Sequence, residues 1–222
     1  MGIAKRGIIA ASLAAFLAYY LVGMGMAPGL LPTMLKGAGV ALLTVLALSQ
    51  GRGVNGQMLT AVMALGSAGD MAIESSRTVG AGFFLVGHLV AVCLYWRNRR
   101  EITSASQNGL EIALLIAIPL IAFAMPSDRA LASQSALYAL ALSAMAAAAW
   151  TSRFSRYSVG IGAMLFVASD LLIFARMGPL AQSQLPGMLI WPLYYAGQYL
   201  ICFGVLRGDH AVGNSTEPSA PR

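Results

Sequence analysis

The sequence predicts an all-α polytopic membrane protein of eight transmembrane helices. Of its 222 residues, 58% are hydrophobic and only 10% charged, and the mean hydropathy of +0.73 lies far above that of a soluble domain. The apolar residues also gather into stretches close to the roughly 17–25 residues needed to cross about 30 Å of hydrocarbon.

The first stretch, Ile8–Met26, follows Lys5 and Arg6 as a signal peptide would, but it is long and no small-x-small cleavage site follows it, so it is read as a helix. Thr33–Ser49, Gln57–Ile73 and Thr78–Trp96 are the next three. Leu110–Met125 opens with Glu111, a carboxylate that suits the start of a helix dipole. Leu131–Thr151, Tyr157–Met177 and Gly187–Leu206 complete the transmembrane domain, assigned to residues 1–208. The polar tail 209–222, with two prolines, reads as disordered. Cys93 and Cys202 fall inside spans and read as small packing residues.

The net charge of +6 does not point to nucleic acid, because the basic residues are scattered through short loops rather than gathered with aromatic platforms. They report topology. Lys5, Arg6, Arg52, Arg97, Arg99, Arg100, Arg153, Arg156, Arg207 and Arg222 fall on one side of the eight-helix arrangement, and Lys36, Arg77, Arg129 and Arg176 on the other. The positive-inside rule then places both termini in the cytoplasm of a bacterial inner membrane.

Asp70 and Asp170 are the main functional clue. Each lies in an apolar stretch behind small residues, Gly66-Ser67-Ala68-Gly69-Asp70 and Val167-Ala168-Ser169-Asp170. An aspartate at a helix centre costs roughly 2.5–3.5 kcal/mol even on insertion scales, so its presence calls for a reason. At 1.5 Å per residue Asp70 sits about 5 Å and Asp170 about 10 Å from the outer helix ends. The competing readings are an interfacial carboxylate for Asp70 and a structural interhelical hydrogen bond for Asp170.

Aligning the chain on these aspartates pairs Leu65 with Leu165, Ala68 with Ala168 and Ile73 with Ile173, and then Gly87-His88 with Gly197-Gln198. Two four-helix repeats of one orientation would produce this pattern; so would chance recurrence of small-residue packing motifs. On the eight-helix arrangement His88, Tyr194, Tyr195 and Gln198 reach the depth of the aspartates. His88 is equally readable as a satisfied core histidine, and Tyr194 as part of an aromatic belt. Arg77 and Arg176, at the outer helix ends, either snorkel or meet a lipid phosphate.

The chain lacks a Gly-x-Ser-x-Gly elbow and a phosphate-cradling Gly-x-x-x-x-Gly-Lys loop, and with only His88 and His210 it cannot assemble the ligands of a catalytic zinc in the usual way. No metal and no cofactor are expected. The chemistry on offer is that of carboxylates.

The ordered set Ser67-Ala68-Gly69-Asp70, Phe84-Leu85-Val86-Gly87-His88 with Tyr95, Phe166-Val167-Ala168-Ser169-Asp170 and Tyr194-Tyr195-Ala196-Gly197-Gln198-Tyr199-Leu200-Ile201 resembles the YhhN/TMEM86 family of membrane proteins, whose members include lysoplasmalogenases. The family commonly has Lys-Pro at the head of the second span where this chain has Lys36-Gly37, and Met71-Ala72-Ile73-Glu74 is more acidic than the family pattern. The resemblance implies hydrolysis of the vinyl-ether bond of a lysophospholipid substrate, a lysoplasmalogen, drawn from the membrane lipid. Asp170 and Asp70 are then the catalytic pair, with Asp170, the deeper, favoured as the acid and Asp70 as the base and the reverse assignment left open, and with His88, Tyr194, Tyr195, Gln198, Lys36, Arg77 and Arg176 binding substrate. A proton-coupled transporter of lipid or small solutes and a non-catalytic lipid-binding protein are the alternatives; the absence of helices broken at mid-depth weighs against transport.

Overall fold

Every predicted apolar stretch is predominantly helical. The computed structural model describes residues 3–215, and the described residues form α1 (Ile3–Leu21), α2 (Leu30–Gln50), α3 (Gly53–Ser75), α4 (Arg77–Arg97), α5 (Ala105–Ala124), α6 (Arg129–Thr151), α7 (Ile161–Arg176) and α8 (Leu185–Ser215). Seven of these helices are long and apolar enough to cross a membrane, which marks a multi-pass integral membrane protein.

Of the eight helices expected to cross the membrane, α3 is the one outside that set. Asn55, Gln57, Ser67, Asp70 and Glu74, together with three glycines after its first residue, dilute its hydropathy. Its flanks are occupied by α2 and α4, and α8 packs on it as well. Ser67 and Asp70 therefore face protein rather than lipid.

The helix ends differ from the hydropathy boundaries for local reasons. α1 takes Lys5 and Arg6 into its first turns, and a 3₁₀ turn at Gly23–Gly25 replaces its expected last residues. α7 is preceded by a π-helical segment, Arg156–Gly160. α8 continues as helix through Ser215, past the start of the expected tail at Asp209; residues 216–222 of that tail lie outside the described residues. Polar caps close several N-termini: Ser76 accepts from the Val79 amide, Asp128 from the Ala130 amide, and Ser104 and Gln107 form a reciprocal capping box.

Between α2 and α3 the chain reverses within two residues. Gly53 has φ of +55°, and a Cβ on Gly51 or Gly56 would lie 2.6 Å or less from the other's backbone. Further along, Pro192 has no amide hydrogen to offer the Met188 carbonyl one turn back, and the Tyr20 hydroxyl donates to that carbonyl instead at 3.0 Å.

Packing joins the two halves crosswise: α2 lies on α8 and α6 on α4, so the second helix of each half meets the fourth of the other. The correspondence is incomplete, since α3 also packs on α8. α7 and α8 also approach closely: a Cβ on Gly162 would fall 2.8 Å from the Gly197 carbonyl oxygen and one on Gly197 would fall 2.7 Å from that of Gly162. At this contact two backbones touch.

At the end of the bundle where α4 finishes, the α4–α5 and α6–α7 connections are stapled together. Arg99 and Ser152 form an antiparallel β-bridge, the Arg153 amide donates to the Asn98 carbonyl at 2.7 Å, and the Arg100 amide to that of Thr151 at 3.1 Å. Glu111 is a full turn beyond the start of α5 rather than at it, and its two oxygens each accept from the Arg99 guanidinium at 2.8 Å. That carboxylate holds the guanidinium above its usual range. Cys202 is buried with its sulfur 3.8 Å from the Leu43 carbonyl, but Cys93 is exposed rather than packed.

Candidate functional site

Asp70 and Asp170 are both turned into the protein, with 3% and 5% of their surface exposed. Gly66 and Gly69 on α3 let neighbours close on the first of them. A Cβ at Gly66 would stand 2.7 Å from the Gln198 amide nitrogen, and one at Gly69 would strike the Phe84 ring at 2.9 Å. With only hydrogens there, the Tyr194 hydroxyl donates to Asp70 Oδ2 at 2.8 Å and itself accepts from Gln198 Nε2 at 3.3 Å.

Asp170 has a matching arrangement. The Tyr138 hydroxyl donates to Asp170 Oδ2 at 2.9 Å, and His88 Nε2 lies 3.0 Å from that hydroxyl. Because the tyrosine proton points at the carboxylate, its oxygen is left to accept, which assigns the hydrogen to His88 Nε2. His88 Nε2 is 3.9 Å from Asp170 Oδ2 itself. Ser169 next door donates to the Ile190 carbonyl at 3.0 Å and so fixes α7 against α8.

The site thus holds two relays, Gln198–Tyr194–Asp70 and His88–Tyr138–Asp170. The polar residue of each comes from the opposite half of the chain from its aspartate, and His88 and Gln198 are the pair matched by the internal alignment. The tyrosines break the symmetry, one coming from α8 and the other from α6. Phe166 stands between the relays, its ring centroid 5.0 Å from that of His88 and 5.1 Å from that of Tyr194, with Phe84 edge-on to both Phe166 and Tyr194. Carboxylates able to give and take protons therefore flank a wall of aromatic faces. Among the described residues, Gln198 Oε1 is buried without a hydrogen-bond partner.

Tyr138 is the member that sequence reasoning missed. Removing its hydroxyl strands the buried Asp170 oxygen and the His88 hydrogen together. Tyr138→Phe is expected to lower stability by about 1–3 kcal/mol, the usual cost of unsatisfied buried groups, as measured by unfolding in detergent; an unchanged midpoint would show that neither group depends on it.

Other expected site residues lie elsewhere. Tyr195 turns toward α1 and α2, its hydroxyl 2.7 Å from Ser12 Oγ, which donates to the Gly39 carbonyl, and its ring stacks on Phe16. Lys36 pairs with Glu74 at 2.5 Å, one turn outward from Asp70, and lies over the Tyr19 ring. Arg77 is exposed at the start of α4, with no hydrogen-bonding or ionic partner among the described residues. Arg176, also exposed, lines a cleft of about 460 Å³ with Tyr20, Met24, Gln184 and Met188. No group of three His, Cys, Asp or Glu side chains that could hold a metal ion occurs among the described residues.

The profile of the YhhN family matches residues 31–205, a stretch that runs from α2 to α8 and contains both relays. The chain belongs to the YhhN family. Comparison with curated proteins and with solved structures finds no match. In this YhhN protein the matched region takes in the Lys36–Glu74 pair, the aromatic wall and the Gly162–Gly197 contact, whereas α1 precedes it.

Proposed function

We propose that this YhhN protein is a lysoplasmalogenase-like hydrolase that opens the vinyl-ether bond of a lysophospholipid by carboxylate acid–base catalysis. The observation that carries the reading is the pair of buried aspartates, each hydrogen-bonded by a tyrosine hydroxyl, on either side of one aromatic wall. Asp170, protonated, delivers its proton to the β-carbon of the enol ether, and the C=C pair forms the new C–H bond. The positive charge left on the ether carbon and oxygen is an oxocarbenium ion, stabilised by the aromatic faces and by ionised Asp70. Asp70 takes a proton from the attacking water as its oxygen bonds to that carbon. The hemiacetal then collapses as Asp70 returns its proton to the departing glycerol oxygen and Asp170 takes the hemiacetal hydroxyl proton, giving a fatty aldehyde and a glycerophospho-base alcohol and restoring both carboxyl groups, with one water consumed. Gln198 Oε1 supplies an acceptor that holds the water.

The substrate phosphate is assigned to Arg176 and the cleft beside it. Met188 in that cleft lies six residues from Tyr194, about 9 Å along α8. In this reading α3 spans the bilayer with the other seven helices, both termini are cytoplasmic, and the fold descends from a four-helix duplication. The crosswise relays and the alternation of basic helix ends support that arrangement.

Purified protein is expected to release aldehyde from 1-alkenyl lysophosphatidylethanolamine and to leave the saturated 1-alkyl ether intact. Bound but uncleaved lipid would favour a lipid-binding protein, and proton-driven lipid flux in vesicles a transporter. Activity is also expected to survive exhaustive chelation, because no group of three His, Cys, Asp or Glu side chains among the described residues could hold a metal ion. Loss with chelator and recovery with added zinc would overturn the carboxylate mechanism.

A further inference from the structure

One cavity lies at the opposite end of the bundle from the aspartates. It measures about 960 Å³ and is bordered by Arg52, Arg97, Arg99, Arg100 and Arg153, with Glu101 and Asp209 as its acids. Topology explains why arginines lie on this side. It does not explain why residues from the α2–α3, α4–α5 and α6–α7 connections surround one concave space, or why two of those connections are stapled by the Arg99–Ser152 bridge.

The cavity's walls and floor are ordered. Asn55 and Asn98 exchange amide hydrogen bonds of 3.1 and 2.9 Å, and Asn55 also donates to Asp209 Oδ1 at 2.8 Å. Arg99 is committed to Glu111 and Arg100 to the Phe154 carbonyl. The guanidinium groups of Arg52, Arg97 and Arg153 are exposed and have no ion-pair partner among the described residues. The first turn of α3, Gly53 to Asn55, also borders the space. Its amide hydrogens have no intrahelical acceptor, and Arg52 at the N-cap adds positive charge where the helix dipole is already positive. Partial burial, with the charge of Arg156 adding to it, pushes the Arg100 guanidinium below its usual range. Opposing these cations, Asp209 Oδ2 is buried without a donor.

We propose that this cavity is a second binding site, for a phosphate ester that carries a hydroxyl or ammonium group: the phosphate meets Arg52, Arg97 and Arg153, and the donor meets Asp209. Asp70 is about 25 Å along α3 from Gly53, so the site is separate from the aspartate relays and does not depend on the reaction assigned to them. Both an anionic lipid headgroup and a free phosphate ester have this chemistry. Basic pockets of this kind between helix ends suit lipid headgroups.

The test uses the full chain in phosphatidylcholine nanodiscs, with phosphatidylglycerol as the lipid probe and glycerol 3-phosphate as the soluble one. At least one probe is expected to bind saturably, and the combined Arg52→Gln and Arg97→Gln variant to bind it at least tenfold more weakly, with an unchanged melting temperature in the absence of probe. Lys5→Gln with Arg6→Gln, at the same end of the bundle but outside the cavity, is expected to bind as the wild type does. Binding of phosphatidylglycerol alone identifies a headgroup site, binding of glycerol 3-phosphate alone a soluble ligand, and mutual competition one site open to both. Failure of both probes to bind, or an equal loss in the Lys5 and Arg6 variant, would overturn the proposal.

Discussion

Asp170→Asn is expected to lower aldehyde release from a vinyl-ether lysolipid by about 10²–10⁴-fold, the range in which positioned acids and bases contribute. The side chain keeps its size, and its amide oxygen still accepts from Tyr138, so the relay geometry survives while the transferable proton is gone. Asp70→Asn is expected to fall in the same range, for loss of the group that takes the water's proton and faces the cation. The double variant should be little worse than the poorer single one, because two residues serving one sequence of proton transfers are not additive. Losses under tenfold in both single variants would show that neither carboxylate is catalytic, and losses that multiply would show that they act independently. His88→Gln and Gln198→Ala should cost less, since His88 acts through Tyr138 and Gln198 orients the water, and neither passes a proton to or from the reacting atoms.

The second large effect is structural. Gly197→Ala sets a methyl group 2.7 Å from the Gly162 carbonyl oxygen, and backbone cannot rotate out of the way as a side chain can. Overpacking of this kind costs about 1–3 kcal/mol, and here it also pries α7 from α8, displacing Asp170 from Tyr138 and Tyr194 from Asp70 together. Both the unfolding midpoint in detergent and the hydrolysis rate should drop. Gly82→Ala on α4 is the control, because a Cβ there meets nothing within 4 Å; relieved of a mid-helix glycine, that variant should be equal to or more stable than the parent by up to about 1 kcal/mol. Equal behaviour of the two variants would show that the α7–α8 contact is not under constraint.

The helices were legible because a span of hydrocarbon imposes a length, and the aspartates because a charge in such a span stands out. Tyr138 escaped notice for the converse reason: one hydroxyl among the alanines of α6 barely changes hydropathy, and it had no partner in the internal alignment. Tyr195 was grouped with Tyr194 by sequence proximity, yet neighbours on a helix point about 100° apart, which sends one ring to α3 and the other to α1 and α2. Spacing served better at Gln198, four residues on from Tyr194 and bonded to it. The glycines could be seen, but which of them meets a facing backbone depends on the crossing of two helices, and no single helix's sequence records that.

The modest hydropathy of α3 bears on how the chain is made. A nascent helix carrying Asp70 leaves the ribosome long before α8, whose Tyr194 is the carboxylate's hydrogen-bond donor. Until that donor arrives, α3 has α2 and α4 beside it, and Ser67 Oγ donating to the Gly37 carbonyl at 3.0 Å ties it to α2. Formation of this relay therefore waits on α8, and chains cut short before α8 leave Asp70 without its tyrosine donor.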